Sequence, residues 1–192
     1  MAACRYSLLA FATVAAMACG TTEARADGFI DEVRLGVLDH DTGLVGTSKE
    51  DGVDIGLEFL SRPLTSLGVL NSPRFVFGGL VNTEGQTNQA YAGLMARWEF
   101  AEGSLRDGDA FFLEGMVAAA WHDGKLDVTG TPEEDEWKSH GSSWGFRTGF
   151  GVGYRIDETW TVALSFHHFS NADLAQPNEG TNDVGLRIGM GF

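Results

Sequence analysis

The stretch "WGFRTGFGVGYRI", residues 144–156, alternates large apolar side chains with small or charged ones. The apolar set consists of Trp144, Phe146, Phe150, Val152, Tyr154 and Ile156. The intervening set consists of Gly145, Arg147, Gly149, Gly151, Gly153 and Arg155. Successive side chains of a β-strand point to opposite faces, so this two-residue period predicts a strand with one apolar face.

The same period recurs along the chain after residue 27. In the final segment, the even positions from Val184 to Phe192 are apolar and oppose glycines and Arg187. Together the segments predict eight strands, which span approximately residues 29–39, 52–61, 73–82, 88–101, 109–122, 143–156, 158–170 and 183–192. An even number of strands allows an antiparallel sheet to close without free edges.

The composition of the polar face favours a membrane barrel over a soluble one. This face is rich in glycine and mixes arginine with carboxylates, which suits a narrow interior filled by paired charges. We expect the interior arginines to neutralise the interior acids. These arginines are Arg97, Arg147, Arg155 and Arg187, and the acids are Glu32, Asp54, Glu58, Glu99 and Glu114. The sequence therefore predicts an all-β fold, an eight-stranded antiparallel transmembrane β-barrel.

The first residues are typical of a secretory signal peptide. Arg5 precedes an apolar run over residues 8–18, and a small-residue cleavage pattern, Ala-Arg-Ala, occupies residues 24–26. We therefore predict a cleaved signal over residues 1–26 and a single barrel domain over residues 27–192.

Composition narrows the possible functions of the barrel. Both cysteines, Cys4 and Cys19, lie in the predicted signal, which excludes disulfides and thiol chemistry from the barrel. Cys19 also lies in a loose lipoprotein-processing pattern, which is the minor alternative to signal cleavage. The formal charge is −14 for the chain and −15 without residues 1–26, which contribute +1. So acidic a protein is not expected to bind nucleic acid, because phosphate contacts require basic residues.

The segment "SFHHFSNADLAQPNEG", residues 165–180, places a histidine and a serine two residues apart where the seventh strand ends. By alternation, His168 and Ser170 share the lipid-facing side of that strand. With both chain termini periplasmic, this strand end lies level with the outer leaflet. A histidine there can take the proton of a nucleophilic serine, and the ester-bearing lipid of that leaflet is lipopolysaccharide. The plainer interpretation is a polar strand end at the membrane interface.

A longer motif surrounds this pair. The run "HFSNA" at residues 168–172, followed by "QPN" at residues 176–178 and a barrel-closing strand, resembles the outer-membrane lipid A 3-O-deacylase family (PagL). The resemblance implies an eight-stranded barrel that hydrolyses the 3-linked hydroxyacyl ester of lipid A. It also implies that the reaction needs no metal and no other cofactor.

The resemblance further implies a role for each residue of the motif. His168 would be the general base and Ser170 the nucleophile. Asn171 and the backbone N–H of Asp173 would form the oxyanion site. The family often has glycine at the position of Asp173.

The third member of the catalytic group departs from the family. Well-characterised members have glutamate twelve residues after the serine, and this chain has Asn182 there. An asparagine can still orient an imidazole, as it does in Cys-His-Asn proteases. Glu179 and Asp183 are the neighbouring acids that could supply a charge instead.

Several alternatives remain open on the sequence alone. A non-catalytic small outer-membrane barrel in membrane integrity or adhesion, an outer-membrane phospholipase and a soluble ligand-binding barrel are the rival hypotheses. The patterns "DHD" at residues 39–41 and "HD" at residues 122–123 lack convincing metal-ligand spacing, so no metal is expected. The expected partner is lipopolysaccharide, bound by a membrane-embedded monomer or homodimer.

Overall fold

The structure is a computed structural model and describes residues 28–192. The predicted signal peptide, residues 1–26, lies outside the described residues. The eight strands of the described chain are β1 (Ile30–Asp39), β2 (Val53–Ser61), β3 (Arg74–Asn82), β4 (Gln89–Phe100), β5 (Ala110–His122), β6 (Trp144–Arg155), β7 (Trp160–Ser170) and β8 (Thr181–Gly191). Each agrees with a predicted strand to within two residues at either end.

The strands form a closed antiparallel barrel. Each strand pairs with its neighbour in sequence, and β8 pairs with β1 to complete the circle. The predicted eight-stranded all-β barrel is therefore confirmed. Within the described chain, no helix has the length and hydropathy of a membrane span.

Burial along the strands follows the predicted alternation. On β6, Phe146, Phe150 and Val152 are exposed on the outer face, whereas Arg147 is fully buried. Glycine on the inner face makes room for large side chains from neighbouring strands. A Cβ added at Gly145 would lie 2.8 Å from the ring of Phe169 on β7. The outer face is apolar and the narrow interior is closely filled.

Paired charges occupy much of the interior, next to an apolar cluster that includes Leu38, Leu60 and Met95. Arg34 donates to both carboxylate oxygens of Glu114, at 2.8 and 2.9 Å, and also to Glu32 at 2.8 Å. A buried charge is tolerated when an opposite charge and hydrogen bonds compensate it. Further interior contacts include Arg97 with Glu32 at 3.1 Å, Arg147 with Asp183 at 2.6 Å and Arg187 with Glu58 at 3.5 Å. Arg155 pairs with Glu99 at 2.8 Å at the rim of the barrel.

This pattern confirms the predicted neutralisation of interior acids by interior arginines, with three differences. Arg34 and Asp183 take part in the pairs although they were not among the predicted arginines and acids. Asp54 lies beside His40, with 2.9 Å between Asp54 Oδ2 and His40 Nδ1. The histidine comes from the connection after β1, so the strand pattern did not indicate it.

The connections differ between the two ends of the barrel. Residues 40–52, 83–88, 123–143 and 171–180 join strands at the end where β7 finishes. Residues 62–73, 101–109 and 156–159 join strands at the opposite end. The unexpectedly long 62–73 connection contains a 3-10 helix, Thr65–Leu70. Outer-membrane barrels have their longer loops outside the cell, so the end of β7 is assigned to the outer leaflet.

The central position of Arg34 leads to a test of the interior network. Replacing Arg34 with Met leaves Glu114 and Glu32 buried with less compensating charge, which is expected to lower the free energy of unfolding by about 3–5 kcal/mol. The matched control is Arg155→Met, because Arg155 and Glu99 lie at the barrel rim with side chains 23% and 31% exposed. The control should cost less than about 1 kcal/mol. Urea unfolding in detergent micelles measures both values, and equal losses would contradict the paired-interior interpretation.

Candidate active site

His168 and Ser170 lie on the outer face at the end of β7. Both are half-buried, whereas the inward residues His167 and Phe169 are fully enclosed. Residues two apart on a strand are separated by about 6.6 Å along it, so the two outward side chains are close neighbours. The structure therefore places the predicted pair on the side of the barrel that faces lipid.

The pairing of β7 with β8 places Asn182 directly opposite His168. The Oδ1 atom of Asn182 lies 2.8 Å from Nδ1 of His168. Asn182 is only 3% exposed although its strand position faces outward, because the connection between β1 and β2 folds over it. The side-chain Nδ2 group of Asn182 donates to the backbone carbonyl of Val45 at 2.5 Å. The backbone carbonyl of Asn182 accepts the N–H of Thr42 at 2.7 Å.

The two other candidates for the orienting role have different partners. The carboxylate of Glu179 accepts the N–H of Ser139 at 2.8 Å and pairs with Lys49 at 2.6 Å. Asp183 points into the barrel, where it pairs with Arg147 at 2.6 Å. Of the three predicted orienting residues, Asn182 is the one whose side chain contacts His168.

Gly180 lies directly against the His168 ring. A Cβ at this position would lie 2.7 Å from His168 Cε1, 3.3 Å from Nε2 and 2.6 Å from the carbonyl of Phe169. Any side chain would therefore displace either the imidazole or the backbone of β7. Sequence reasoning did not single out Gly180, although it ends the segment that carries the motif.

The connection between β7 and β8 is organised by Asn171. Its side-chain amide donates to the carbonyls of His140 at 2.7 Å and Ala175 at 2.9 Å, and it is 1% exposed. The N–H of Asn171 donates to Oδ1 of Asn178 at 3.0 Å. The asparagines of the motif thus hold the loop in shape and attach it to the β5–β6 connection.

Two consecutive residues of this loop have left-handed backbone conformations, Ala172 with φ of 55° and Asp173 with φ of 59°. This explains why glycine suits position 173, and aspartate is among the residues that best tolerate the conformation. The Asp173 carboxylate accepts from Asn178 at 3.0 Å and Gln176 at 3.3 Å. Within residues 28–192, the N–H groups of Ala172 and Asp173 have no hydrogen-bond acceptor.

Apolar side chains surround this polar group. Phe146 on β6 is directly opposite Ser170 in the strand register. Leu44 and Val45 on one side and Leu174 on the other are 71%, 57% and 79% exposed. A site bordered in this way suits a ligand that carries hydrocarbon chains.

A buried cluster around His40 anchors the connection that covers Asn182. His40 Nδ1 lies 2.9 Å from Asp54 and Nε2 lies 2.9 Å from Glu50, with Asp183 at 3.8 Å. An ionised carboxylate can only accept a hydrogen bond, so each ring nitrogen that contacts one must carry a proton. With a carboxylate at both nitrogens, this geometry favours the doubly protonated imidazolium. Burial alone would lower the pKa of His40, but the hydrogen bonds to Asp54 and Glu50 outweigh it and raise the pKa to about 10.

The same cluster contains the one potential metal-binding group found in the described chain, which is formed by His40, Asp54 and Asp183. Their candidate ligand atoms lie within 4.8 Å of one another. Because both His40 nitrogens already contact carboxylates, the hydrogen bonds account for the cluster without an ion. The sequence indicated His40 only through "DHD" and gave no sign of its partners, which are distant in the chain.

His140 is the second buried histidine of these connections, and it has the opposite electrostatics. Burial and the neighbouring His122 lower the pKa of His140 to about 4. Its ring packs edge-on against Phe169, with the centroids 5.5 Å apart, and its carbonyl accepts the Asn171 amide. A neutral histidine therefore supports the β7–β8 loop through its ring contact with Phe169 and its backbone contact with Asn171.

Comparison with known proteins identifies relatives of this chain. A model of the family described as Lipid A 3-O-deacylase (PagL) matches residues 70–191. The crystal structure of the outer membrane enzyme PagL is similar with a TM-score of 0.60 and 18% identity, over 84% of this chain and 99% of that chain. The crystal structure of Neisserial surface protein A is similar with a TM-score of 0.50 and 12% identity, over 85% and 96% of the two chains. No curated protein matches significantly.

The family match covers more than half of the chain and includes His168, Ser170 and Asn182, whereas the connection over residues 40–52 precedes it. At these low identities, the two structural likenesses show the barrel fold. The family and the apolar outer face together give an outer-membrane β-barrel.

The charged state of His40 leads to a test by pH. A raised pKa stabilises the folded protein fully below the unfolded value of about 6.5, and this contribution is lost as the pH rises through about 10. Substitution His40→Gln is therefore expected to lower the free energy of unfolding by about 3–5 kcal/mol at acid pH. The difference should shrink steadily between neutral pH and pH 10.

The matched control for this test is His140→Gln. Because the pKa of His140 is depressed, the native protein should lose stability relative to this variant as the pH falls towards 4. Urea unfolding across the pH range compares the two variants. Parallel pH trends for the two would refute the charge assignments.

Proposed function

Because the chain belongs to the lipid A 3-O-deacylase (PagL) family, we propose that it is a serine esterase acting on the 3-linked hydroxyacyl ester of lipid A. The hydrolysis would take place in the outer leaflet of the outer membrane and would use no metal. Ser170 would be the nucleophile, His168 the general base and Asn182 the orienting residue.

The observation that carries this proposal is the contact between His168 and Asn182 on the outside of the barrel, at 2.8 Å. A histidine held by a third group, with a serine two residues away on the same face, has the composition of a nucleophilic catalytic group. Because the group faces lipid, a substrate would reach it by lateral movement in the bilayer. Lipid A is an ester-bearing lipid of that leaflet.

The proposed reaction proceeds through an acyl-enzyme. The Ser170 hydroxyl attacks the ester carbonyl while Nε2 of His168 takes its proton. The tetrahedral intermediate then collapses, and the protonated His168 gives the proton to the departing 3-oxygen of the sugar, which leaves as an alcohol. A water molecule, deprotonated by His168, then attacks the acyl-enzyme. As the second intermediate collapses, His168 returns that proton to Ser170 Oγ, which releases the hydroxy acid and restores both residues.

The oxyanion site is proposed from the loop geometry. The N–H groups of Ala172 and Asp173 follow Ser170 closely and have no acceptor within the described chain. Such donors can stabilise a tetrahedral oxyanion by about 3–4 kcal/mol each. The amide of Asn171 already donates to the His140 and Ala175 carbonyls, so its proposed contribution is to hold this loop. Its predicted direct contact with the oxyanion would require these bonds to rearrange.

Asn182 is preferred over the neighbouring acids as the orienting residue. Glu179 connects the β7–β8 loop to Ser139 and Lys49, and Asp183 neutralises Arg147 inside the barrel. An asparagine orients the imidazole without the negative charge that would stabilise an imidazolium. We therefore expect catalysis to depend on the geometry of this contact more than on its charge.

The proposed reaction is tested by mass spectrometry of lipid A from a lipopolysaccharide-producing host that expresses the protein. Native protein is expected to remove one hydroxyacyl mass, and Ser170→Ala should abolish this loss because it lacks the attacking oxygen. Both proteins must first be shown to be folded in the outer membrane.

Other outcomes of that experiment identify the rival functions. Accumulation of lysophospholipid with unchanged lipid A would indicate a phospholipase that uses the same pair. Unchanged lipid A and phospholipid with native protein would favour a non-catalytic barrel. Loss of the acyl group by the Ser170→Ala variant as well would reject Ser170 as the nucleophile.

The close approach of Gly180 to His168 gives a second test. Substitution Gly180→Ala should displace the imidazole or the strand that carries it, and a misplacement of about 1 Å can cost about 10²-fold in rate. The matched control is Gly115→Ala on β5, where an added Cβ would lie 3.8 Å from the nearest side chain, Trp98. Deacylation rates in detergent are compared for variants shown to be folded, as judged by an electrophoretic mobility that changes on heating. Equal rates for the two variants would contradict the assigned position of His168.

A further inference from the structure

The orientation of the Asn182 amide decides which nitrogen of His168 can act as a base. An amide has an accepting oxygen at one end and a donating NH2 at the other. If the oxygen faces His168 Nδ1, that nitrogen carries the proton and Nε2 has the free lone pair that a base requires. If the NH2 group faces Nδ1, the proton lies on Nε2 and the base is lost. A carboxylate accepts at both ends, so a glutamate or aspartate does not present this choice.

The backbone carbonyl of Val45 resolves the choice in this chain. It lies 2.5 Å from Nδ2 of Asn182. A carbonyl oxygen can only accept, so the end of the amide that faces Val45 must be the NH2 group. The opposite end, which lies 2.8 Å from His168 Nδ1, must then be the oxygen. The His168 ring is thereby held as the Nδ1–H tautomer.

The segment that carries Val45 is anchored at both ends. Next to it, the N–H of Thr42 donates to the backbone carbonyl of Asn182 at 2.7 Å, and the N–H of Leu44 donates to Oγ1 of Thr42 at 3.2 Å. On the far side, Oδ2 of Asp41 accepts the N–H groups of Lys49 at 2.8 Å and Glu50 at 3.2 Å. These bonds close residues 41–50 into a compact loop.

The loop is also fixed to the barrel. The imidazole of His40 bridges Glu50 of the loop and Asp54 of β2, at 2.9 Å each, in a fully buried position. Glu50 in addition accepts the N–H of Lys138 from the β5–β6 connection at 3.0 Å. These buried anchors on both sides restrict the movement of the segment that carries the Val45 carbonyl.

We propose that the β1–β2 connection is a positioning element for the catalytic histidine, in which the Val45 carbonyl selects the Nδ1–H tautomer of His168 through Asn182. A carboxylate at position 182 would accept from His168 at either of its oxygens. The amide of Asn182 has only one accepting end, and the Val45 carbonyl ensures that this end faces His168. The inference rests on the proposed function, because it takes His168 as the base for Ser170. If the connection merely covered the end of the barrel, loosening it would change stability and leave the tautomer unaltered.

The test loosens the loop without touching its anchors. Two glycines are inserted after Gly43 and two after Gly46, which frees Val45 and leaves His40, Asp41 and Glu50 in place. Insertions of this length in a surface loop carry a small entropic cost, about 0.6 kcal/mol for each doubling of loop length. A shortened loop, with residues 43–47 replaced by two glycines, is the second variant in case the first does not fold. The matched control is Val45→Ala, which keeps the backbone carbonyl.

The first measurement is the nitrogen-15 spectrum of the histidine rings in detergent micelles, with His168 assigned by comparison with His168→Gln. The native protein and Val45→Ala should show the Nδ1–H tautomer. The loosened loop should shift His168 towards Nε2–H, and kcat should fall in proportion to the lost Nδ1–H population with KM unchanged. An unaltered tautomer in a folded loosened or shortened loop would overturn the proposal.

The second measurement is rescue by Asn182→Asp within the loosened loop. A carboxylate accepts at both ends and needs no carbonyl to orient it, so the Nδ1–H tautomer and kcat should both recover. Failure of the aspartate to restore the tautomer would also reject the proposal. Because the spectra are recorded without substrate, they test the positioning even if native protein does not deacylate lipid A, a result that would reject the proposed function instead.

Discussion

The alternation of side chains in a closed, narrow barrel is the constraint on which the rest of this molecule depends. Inward positions are enclosed, so a charge such as that of Arg34 needs nearby carboxylates, which Glu32 on its own strand and Glu114 on β5 supply. Outward positions meet hydrocarbon, where an unsatisfied polar group is costly. A polar residue on the outer face is therefore exceptional. His168 and Asn182 are such residues, and the structure gives them each other as partners.

The strands and the connections contribute differently to the site. The strands place His168, Ser170 and Asn182 with the precision of the sheet register. The connections then complete the surroundings of these residues, since Val45 contacts Asn182 and the Asn171 amide joins the loop to the His140 carbonyl. Here the strands carry the reacting groups, and the loops provide the hydrogen bonds that support them. Such support is a general way to hold a site in a productive geometry.

What could be predicted from the sequence also differs between the strands and the connections. The two-residue period identified the strands and the outward position of His168 and Ser170, because that information is local. Contacts between distant connections leave no period, so the Val45 carbonyl and the Glu50–His40 pair could not be found. The motif resemblance singled out Asn171 but suggested a direct oxyanion contact, whereas its amide is occupied by backbone carbonyls. The left-handed conformation at Asp173 could have been inferred from the frequent glycine of the family.

An asparagine at position 182 is physically reasonable because of what surrounds it. The adjacent Asp183 already carries a charge, which Arg147 neutralises on the inner face. At position 182 the contacting groups are the Val45 carbonyl and the His168 ring, and neither is a permanent cation. A carboxylate there would be a nearly buried charge with an oxygen directed at another oxygen, which is strongly unfavourable. An amide satisfies both neighbours, but it cannot stabilise the transient imidazolium by charge, so the fixed direction of its dipole has to supply the orientation.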